Sequence, residues 1–192
     1  LRDGQPLPAA GVRLEHVGPV VPCESGLHFS ELAIDALKYA PGAWVARVEG
    51  PDDAKPHGSP VDKYCGAWRV APHGYVDASR VLHLFSCDET TRAMNAVEAR
   101  GGKVDQRSRE AVAVKLSWLD GKATDAELSA ARSAAESAAR SAAWSAAESA
   151  AWSAARSTAW SAAWSAEWSA ARSAQNARLE SALSALLDEV KP

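Results

Sequence analysis

The chain has 192 residues and a formal net charge of −3, a length that allows one ordinary domain with an extension or two units. Near-balanced charge supplies no field toward nucleic acid or an anionic membrane surface. No apolar run approaches the roughly 18 residues of a membrane span, and no signal-peptide pattern is present. Three cysteines at wide spacings, Cys23, Cys65 and Cys87, point to a reducing compartment rather than a disulfide framework.

Two compositions divide the sequence. Up to about Asp120 it is mixed and holds every Cys, His and Tyr; after Gly121 it contains no Gly or Pro until Pro192. The chain opens Leu1-Arg2-Asp3-Gly4 without a Met, which is read as the loss of a short leader and, with it, a first strand.

In the mixed part, alternation in Val12-Arg13-Leu14-Glu15-His16-Val17 predicts a short strand closed by Gly18-Pro19. Ser30 is placed to cap a helix from Glu31 to Tyr39 that stops before Pro41-Gly42. Gly42 to Glu49 and Tyr64 to Val70 are two further strand candidates, and the three together predict a small antiparallel sheet. The intervening Pro51 to Pro60 segment, rich in Pro, Gly, Asp and Lys, reads as a mobile, solvent-facing loop.

Asp77 then opens a short helix with an apolar side of Val81, Leu82, Leu84 and Phe85, and Asp88 caps the next one, which breaks at Gly101-Gly102. A third runs from about Asp105 to Leu119 and ends at Gly121. Thr124-Asp125-Ala126-Glu127 is a capping box that opens a long helix.

That helix is built on a four-residue unit, Ser-Ala-Ala-X, repeated about eleven times between Leu128 and Ala174, with X drawn from Arg, Glu and Trp. A helix advances about 100° per residue, so each repeat returns about 40° past a full turn and the X positions wind round the axis. Trp160, Trp164 and Trp168 fall within about 80° of one another, whereas Trp144 and Trp152 point elsewhere. Each tryptophan carries about 150–250 Å² of surface, roughly 4–6 kcal/mol when buried, so five of them call for a covering surface. Ala and Ser permit close helix approach, and a repeat above 3.6 residues favours a right-handed wrap over the heptad coil.

With Ala the best helix former, about 60 residues without a breaker can form one rod near 90 Å long or fold back as a hairpin. Thr158 and Gln175-Asn176 are the weakest points. Beyond them Leu179, Leu183, Leu186, Leu187 and Val190 form an ordinary amphipathic stripe, read as a docking or self-association segment. Trp144, Trp152, Trp160, Trp164, Trp168, Leu179, Leu183 and Leu186 are the expected partner-facing residues. Packing of the repeat on its own front domain is the plainer use of the same surface.

Chemistry is harder to find. In Cys23-Glu24-Ser25-Gly26-Leu27-His28 a Cys and a His five apart could share a metal, with Cys65, Cys87 or His57 completing the shell, but the paired short spacings of a zinc site are absent, as is an identifiable third member of a catalytic set. No catalytic residue, metal or cofactor is therefore assigned. His28 either ties down the Gly26 turn or faces a ligand, with Tyr39 and Lys63 as companions. Asp62-Lys63 reads as a surface or edge-strand pair, and His16, His73 and His83 share no spacing.

Cys23-Glu24-Ser25-Gly26-Leu27-His28, Ala36-Leu37-Lys38-Tyr39-Ala40-Pro41-Gly42, Val45 to Glu49 and Asp62-Lys63 resemble a family of uncharacterised phage and bacterial proteins. Its members carry a Cys-x-x-Gly-Leu/Phe-His motif, a Tyr-x-Pro-Gly turn, a Val-Glu strand and an Asp/Ser-Lys step. The likeness covers roughly residues 1–87. Leu1 to Pro8 is similar to an actinobacterial and phage branch in which a long Ala-rich repeat succeeds the domain, and Lys122 to Leu128 is similar to the lead-in of other Ala/Trp-rich repeat proteins. The resemblance implies a prokaryotic or viral origin and no particular activity.

The expectation is an α+β protein: a small antiparallel-sheet domain with short helices over 1–87, a helical connector over 88–121, and a long Ala-rich α-helical repeat over 122–192. Its expected role is non-enzymatic: an assembly or adaptor protein, cytoplasmic in a bacterium or phage-associated. It oligomerises or docks on a protein partner through the repeat and binds neither nucleic acid nor membrane. The alternative is a ligand-binding module or transferase-type enzyme that holds a nucleotide-like molecule in a cleft near His28.

Overall fold

The structure is a computed structural model that describes residues 6–39, 42–153 and 160–189, with the side chains of Lys38 and residues 141–172 outside that description. It is a mixed α+β protein. In chain order the elements are β1 (Arg13–Glu15), β2 (Leu27–Phe29), α1 (Ala33–Tyr39), β3 (Trp44–Val45), β4 (Lys55–His57), β5 (Lys63–Gly66), β6 (Trp68–Val70), β7 (Val76–Asp77), α2 (Ser79–Ala99), α3 (Gln106–Leu119), α4 (Asp125–Ser153) and α5 (Trp160–Asp188). The chain divides into two compact units, Leu1–Leu82 with Asn176–Pro192, and His83–Gln175.

In the first unit the strands pair antiparallel in three small sheets, β1-β6, β2-β5-β4 and β3-β7. The single strand expected from Tyr64 to Val70 is thus two. β5 and β6 part at Ala67 and enter different sheets, with Glu15 opposite Trp68 in one and Leu27 opposite Gly66 in the other. The segment expected to be a mobile loop contains β4, an edge strand in which Lys55 lies opposite Cys65 and His57 opposite Lys63. Pro56 at its centre is tolerated because an edge strand has an outer side on which no N–H is required.

The expected Ser30 cap gives way to a tertiary one. Helix α1 begins at Ala33, whose N–H donates to Glu180 Oε2 at 2.7 Å, so a carboxylate from α5 satisfies an orphan donor at the positive end of the helix. Arg47 Nη1 donates to Asp188 Oδ1 at 2.6 Å, close to where Leu187 joins Arg47, His73, Gly74 and Val76 round a cavity of about 10 Å³, room for no more than one water. The apolar stripe at the chain's end docks inside this unit, with Leu179 2% and Leu183 1% exposed. The two leucines expected to face a partner are therefore core residues of their own chain, and Leu186 is half-buried.

Helix α2 runs unbroken from Ser79 to Ala99, so Asp88, in the second unit, caps nothing and sits on an exposed turn. No Gly or Pro interrupts the segment, and the cap is made upstream, where Asp77 Oδ1 accepts from the Ser79 N–H at 2.8 Å. The helix ends with Gly101 N–H donating to Glu98 and Gly102 N–H to Val97, the paired bonds of a Schellman stop. The stop expected after α3 is built the same way: Gly121, at φ 70°, donates to Trp118 and Lys122 donates to Ser117. Helix α4 opens on a reciprocal capping box, with Glu127 N–H donating to Thr124 Oγ1 at 3.2 Å and Thr124 N–H to Glu127 Oε2 at 2.7 Å. Helices α3 and α4 form a hairpin that buries Leu128 and Ala138, pinned at its turn by Trp118 Nε1 donating to Asp125 Oδ1.

The five tetrad tryptophans have side chains outside the description, and the choice between one helix and a fold-back falls on residues 154–159, also outside it. Leu183→Ala is expected to lower unfolding free energy by about 2–5 kcal/mol and Leu186→Ala by clearly less, read from urea unfolding midpoints at constant m.

Candidate functional site

Antiparallel pairing places opposite residues on the same side of a sheet, and residues two apart on one strand share that side. In β2-β5-β4 the register sets His28 opposite Cys65, Lys55 opposite Cys65, and His57 opposite Lys63. One face therefore carries His28, Lys55, His57, Lys63 and Cys65. The other carries Phe29 and Tyr64, stacked with ring centroids 6.1 Å apart; Tyr64 Oη donates to Glu31 at 2.7 Å.

A tight loop closes over the first face. Val21 and Ser25 pair with each other, Val21 O accepts from the N–H groups of Glu24 and Ser25, and Ser25 Oγ donates to Pro19 O at 2.7 Å. Lys55 Nζ ties the loop's start to the sheet through Val20 O at 2.6 Å, and Cys65 Sγ donates to Ser25 O at 3.3 Å. Gly26 makes this closure possible: at φ 114°, a Cβ there would stand 2.6 Å from Cys65 Sγ. A side chain would force the loop off the sheet.

Cys23 is the tip of this loop, exposed and at φ 71°, a left-handed conformation for a residue with a side chain. Such a conformation costs roughly 1–3 kcal/mol and persists only where neighbours hold it. The holder is His28. Its Nε2 accepts the Cys23 N–H at 3.3 Å, which fixes the ring as a neutral tautomer with the proton on Nδ1. Burial lowers the His28 pKa below its ordinary value, helped by its electrostatic neighbours Lys63, Arg69 and His57. Arg69 Nη1 also donates to His28 O at 2.7 Å.

The Cys23 sulfur meets different groups. His57 Nε2 lies 3.2 Å from Sγ. The Lys63 ammonium is raised above the ordinary lysine value chiefly by its hydrogen bond to Cys23, with smaller contributions from the charges of Cys23, Tyr39 and Asp62, while burial opposes the rise. Lys63 Nζ also sits 4.0 Å from the centroid of the Tyr39 ring, and Tyr39 Oη donates to Asp62 Oδ2 at 2.7 Å. Lys63 is buried, 8% exposed, on the central strand. The expected surface or edge pair is thus an interior cation on the central strand, with the Tyr39 ring over its ammonium. A cysteine with a ring nitrogen 3.2 Å from its sulfur and an ammonium on the same sheet face is the pairing that nucleophilic thiol chemistry uses.

The structure brings His28, Tyr39 and Lys63 together, as grouped from sequence, but round Cys23. It engages His28 with the backbone. His57, weighed from sequence only as a completing metal ligand for Cys23 and His28, stands instead at the Cys23 sulfur, on a strand whose character Pro56, Gly58 and Pro60 hide. Among the described residues no group of three or more His, Cys, Asp or Glu is placed to share a metal ion, and no helix is long and apolar enough to cross a membrane. Elsewhere His16 Nε2 lies 3.3 Å from Pro19 O, and His83 meets the Trp118 ring edge-on. Comparison with protein families, curated proteins and solved structures finds no match to this chain.

A His28 pKa held below its ordinary value means that the unfolded chain takes up the proton first. Stability is therefore full at pH above the ordinary histidine value and falls as pH drops toward the folded-state value. Urea midpoints measured from about pH 7 to about pH 5 should fall for the native chain and fall less steeply for His28→Gln. The residual slope reports His83, which burial shifts the same way.

Proposed function

We propose that this chain is a non-enzymatic assembly or adaptor protein of phage or bacterial origin, in which the α+β unit recognises a partner and the Ala-rich repeat sets contacts between chains. The observation that carries the reading is the fate of the two apolar surfaces at the end of the molecule. The leucine stripe of α5 is satisfied within its own chain, with Leu179 and Leu183 buried. The tetrads upstream contain five tryptophans and no leucine between Ser129 and Ala174, so the large apolar side chains that the repeat offers are indoles.

The small residues flanking each tryptophan let a second helix approach closely, and the winding of a period-four repeat distributes the rings round a right-handed contact. The described part of the chain has no membrane-crossing helix, and the balanced charge supplies no attraction for a nucleic acid. A chain-to-chain contact is the use that fits both. The cleft reading round His28 is not favoured, since that ring nitrogen serves the Cys23 N–H.

Light scattering should give a mass above that of one 20.2 kDa chain, and the combined Trp160→Ala, Trp164→Ala and Trp168→Ala chain should return to single-chain mass with its helical circular dichroism retained. A compact single chain at every concentration, with or without those substitutions, would overturn the assembly reading.

A further inference from the structure

The Cys23 cluster has no task in an assembly role, and its geometry exceeds what a structural cysteine requires. The tip of the loop could hold its φ of 71° at no steric penalty with glycine, yet a cysteine stands there. Its sulfur is exposed, while Cys65 and Cys87 are buried. The groups around Cys23 arrive from separate segments: His57 from β4 at the sulfur, Lys63 from β5 opposite His57 on the same sheet face, and His28 from β2 at the backbone. Tyr39 from α1 holds the Lys63 ammonium under its ring.

We infer that Cys23 is the nucleophile of a thiol-exchange site whose substrate class is an aliphatic disulfide. His57 Nε2 takes the thiol proton across the 3.2 Å contact, and the Lys63 ammonium offsets the charge left on sulfur. The sulfur attacks one sulfur of the disulfide, forming a Cys23–S–S–R bond as the original S–S bond breaks. The electron pair of that bond leaves with the second half as a thiolate, which takes the proton back from His57. Nothing beyond the disulfide is consumed: one thiol is oxidised into the mixed disulfide and one is released.

Exchange is the reaction this set supports because it asks only for a nucleophile, a group to accept its proton, and an open approach to sulfur. Acyl transfer would also need donors aimed at a developing oxyanion. The product is a mixed disulfide that stays on Cys23. Cys65 is the nearest candidate to resolve it, but that thiol is fully buried, donates to Ser25 O, and is pushed up by burial and by the charge of Cys23. The site thus captures one half of a disulfide. This assignment is independent of the assembly reading and survives its failure.

The test is the rate of adduct formation on the full native chain with oxidised glutathione at neutral pH, each cysteine read separately by peptide mass mapping. Cys23 is expected to react roughly tenfold faster in the native chain than in the chain unfolded in urea, with Cys65 and Cys87 unmodified until unfolding. Cys23→Ser should give no native adduct. His57→Gln, an exposed edge-strand change, and Lys63→Met should each remove the excess rate, and Lys63→Arg should keep most of it. A native Cys23 rate no higher than the unfolded rate would overturn the assignment. So would an excess rate untouched in a His57→Gln chain whose circular dichroism matches the parent.

Discussion

The pairing of β5 on both sides is the constraint on which the first unit is built. Lys63, Cys65 and Gly66 are buried on this strand, β2 lies on one flank and β4 on the other, and the register of those two ladders decides which side chains share a face. A slip of one residue would send His28 and His57 to the side now held by Phe29 and Tyr64. Small residues protect the register: a Cβ on Gly66 would meet the Pro51 ring at 2.7 Å. Cys65 is small enough to sit at zero exposure under the Cys23 loop.

From that strand outward, a polar interior is made tolerable by mutual satisfaction. Lys63 is an unusual core residue, and a buried ammonium without partners would be strongly unfavourable. Here it has the Tyr39 face, and Cys23 and Asp62 favour its charged form. His28 solves the complementary problem by staying neutral. Were it protonated, its Nε2–H would face the Cys23 N–H, donor against donor, with Lys63 and Arg69 adding repulsion. Backbone conformation at the loop tip and protonation at His28 are thus one equilibrium, and it sets the position of the Cys23 sulfur.

Parts of this were legible in the sequence because they rest on local chemistry. The capping box Thr124 to Glu127, the Gly101-Gly102 break and the Gly121 stop depend on residues a few positions apart, and α3 lies where they put it. Short strands at Arg13–Glu15 and Trp44–Val45 lie within alternating runs. The illegible parts depend on partners far along the chain. The cap of α1 comes from Glu180, 147 residues away, so Ser30 looked sufficient. β4 is a strand only because β5 lies beside it; read alone, Lys55-Pro56-His57 has loop composition. His28 was singled out because its motif is compact, whereas the place of His57 at the Cys23 sulfur was hidden because it lies 34 residues away.

The same division explains why the molecule ends as it does. A unit that repeats every four residues cannot build a straight stripe on a helix of 3.6 residues per turn, so the X side chains of a long Ser-Ala-Ala-X run share no fixed face, although a short stretch packs, as Ala138 of α4 does in its hairpin with α3. A straight apolar stripe appears only where the sequence leaves the repeat at Gln175-Asn176, after which Leu179, Leu183 and Leu186 return at spacings of four and three. The unit boundary falls at that same place, between Gln175 and Asn176. Glu180 and Asp188 interleave with those leucines and bind Ala33 and Arg47, giving the apolar contact a polar register. Two periodicities thus meet in one helix: the spacing of four and three that seats Leu179 and Leu183 in the core of the first unit, and the spacing of four that winds round the axis.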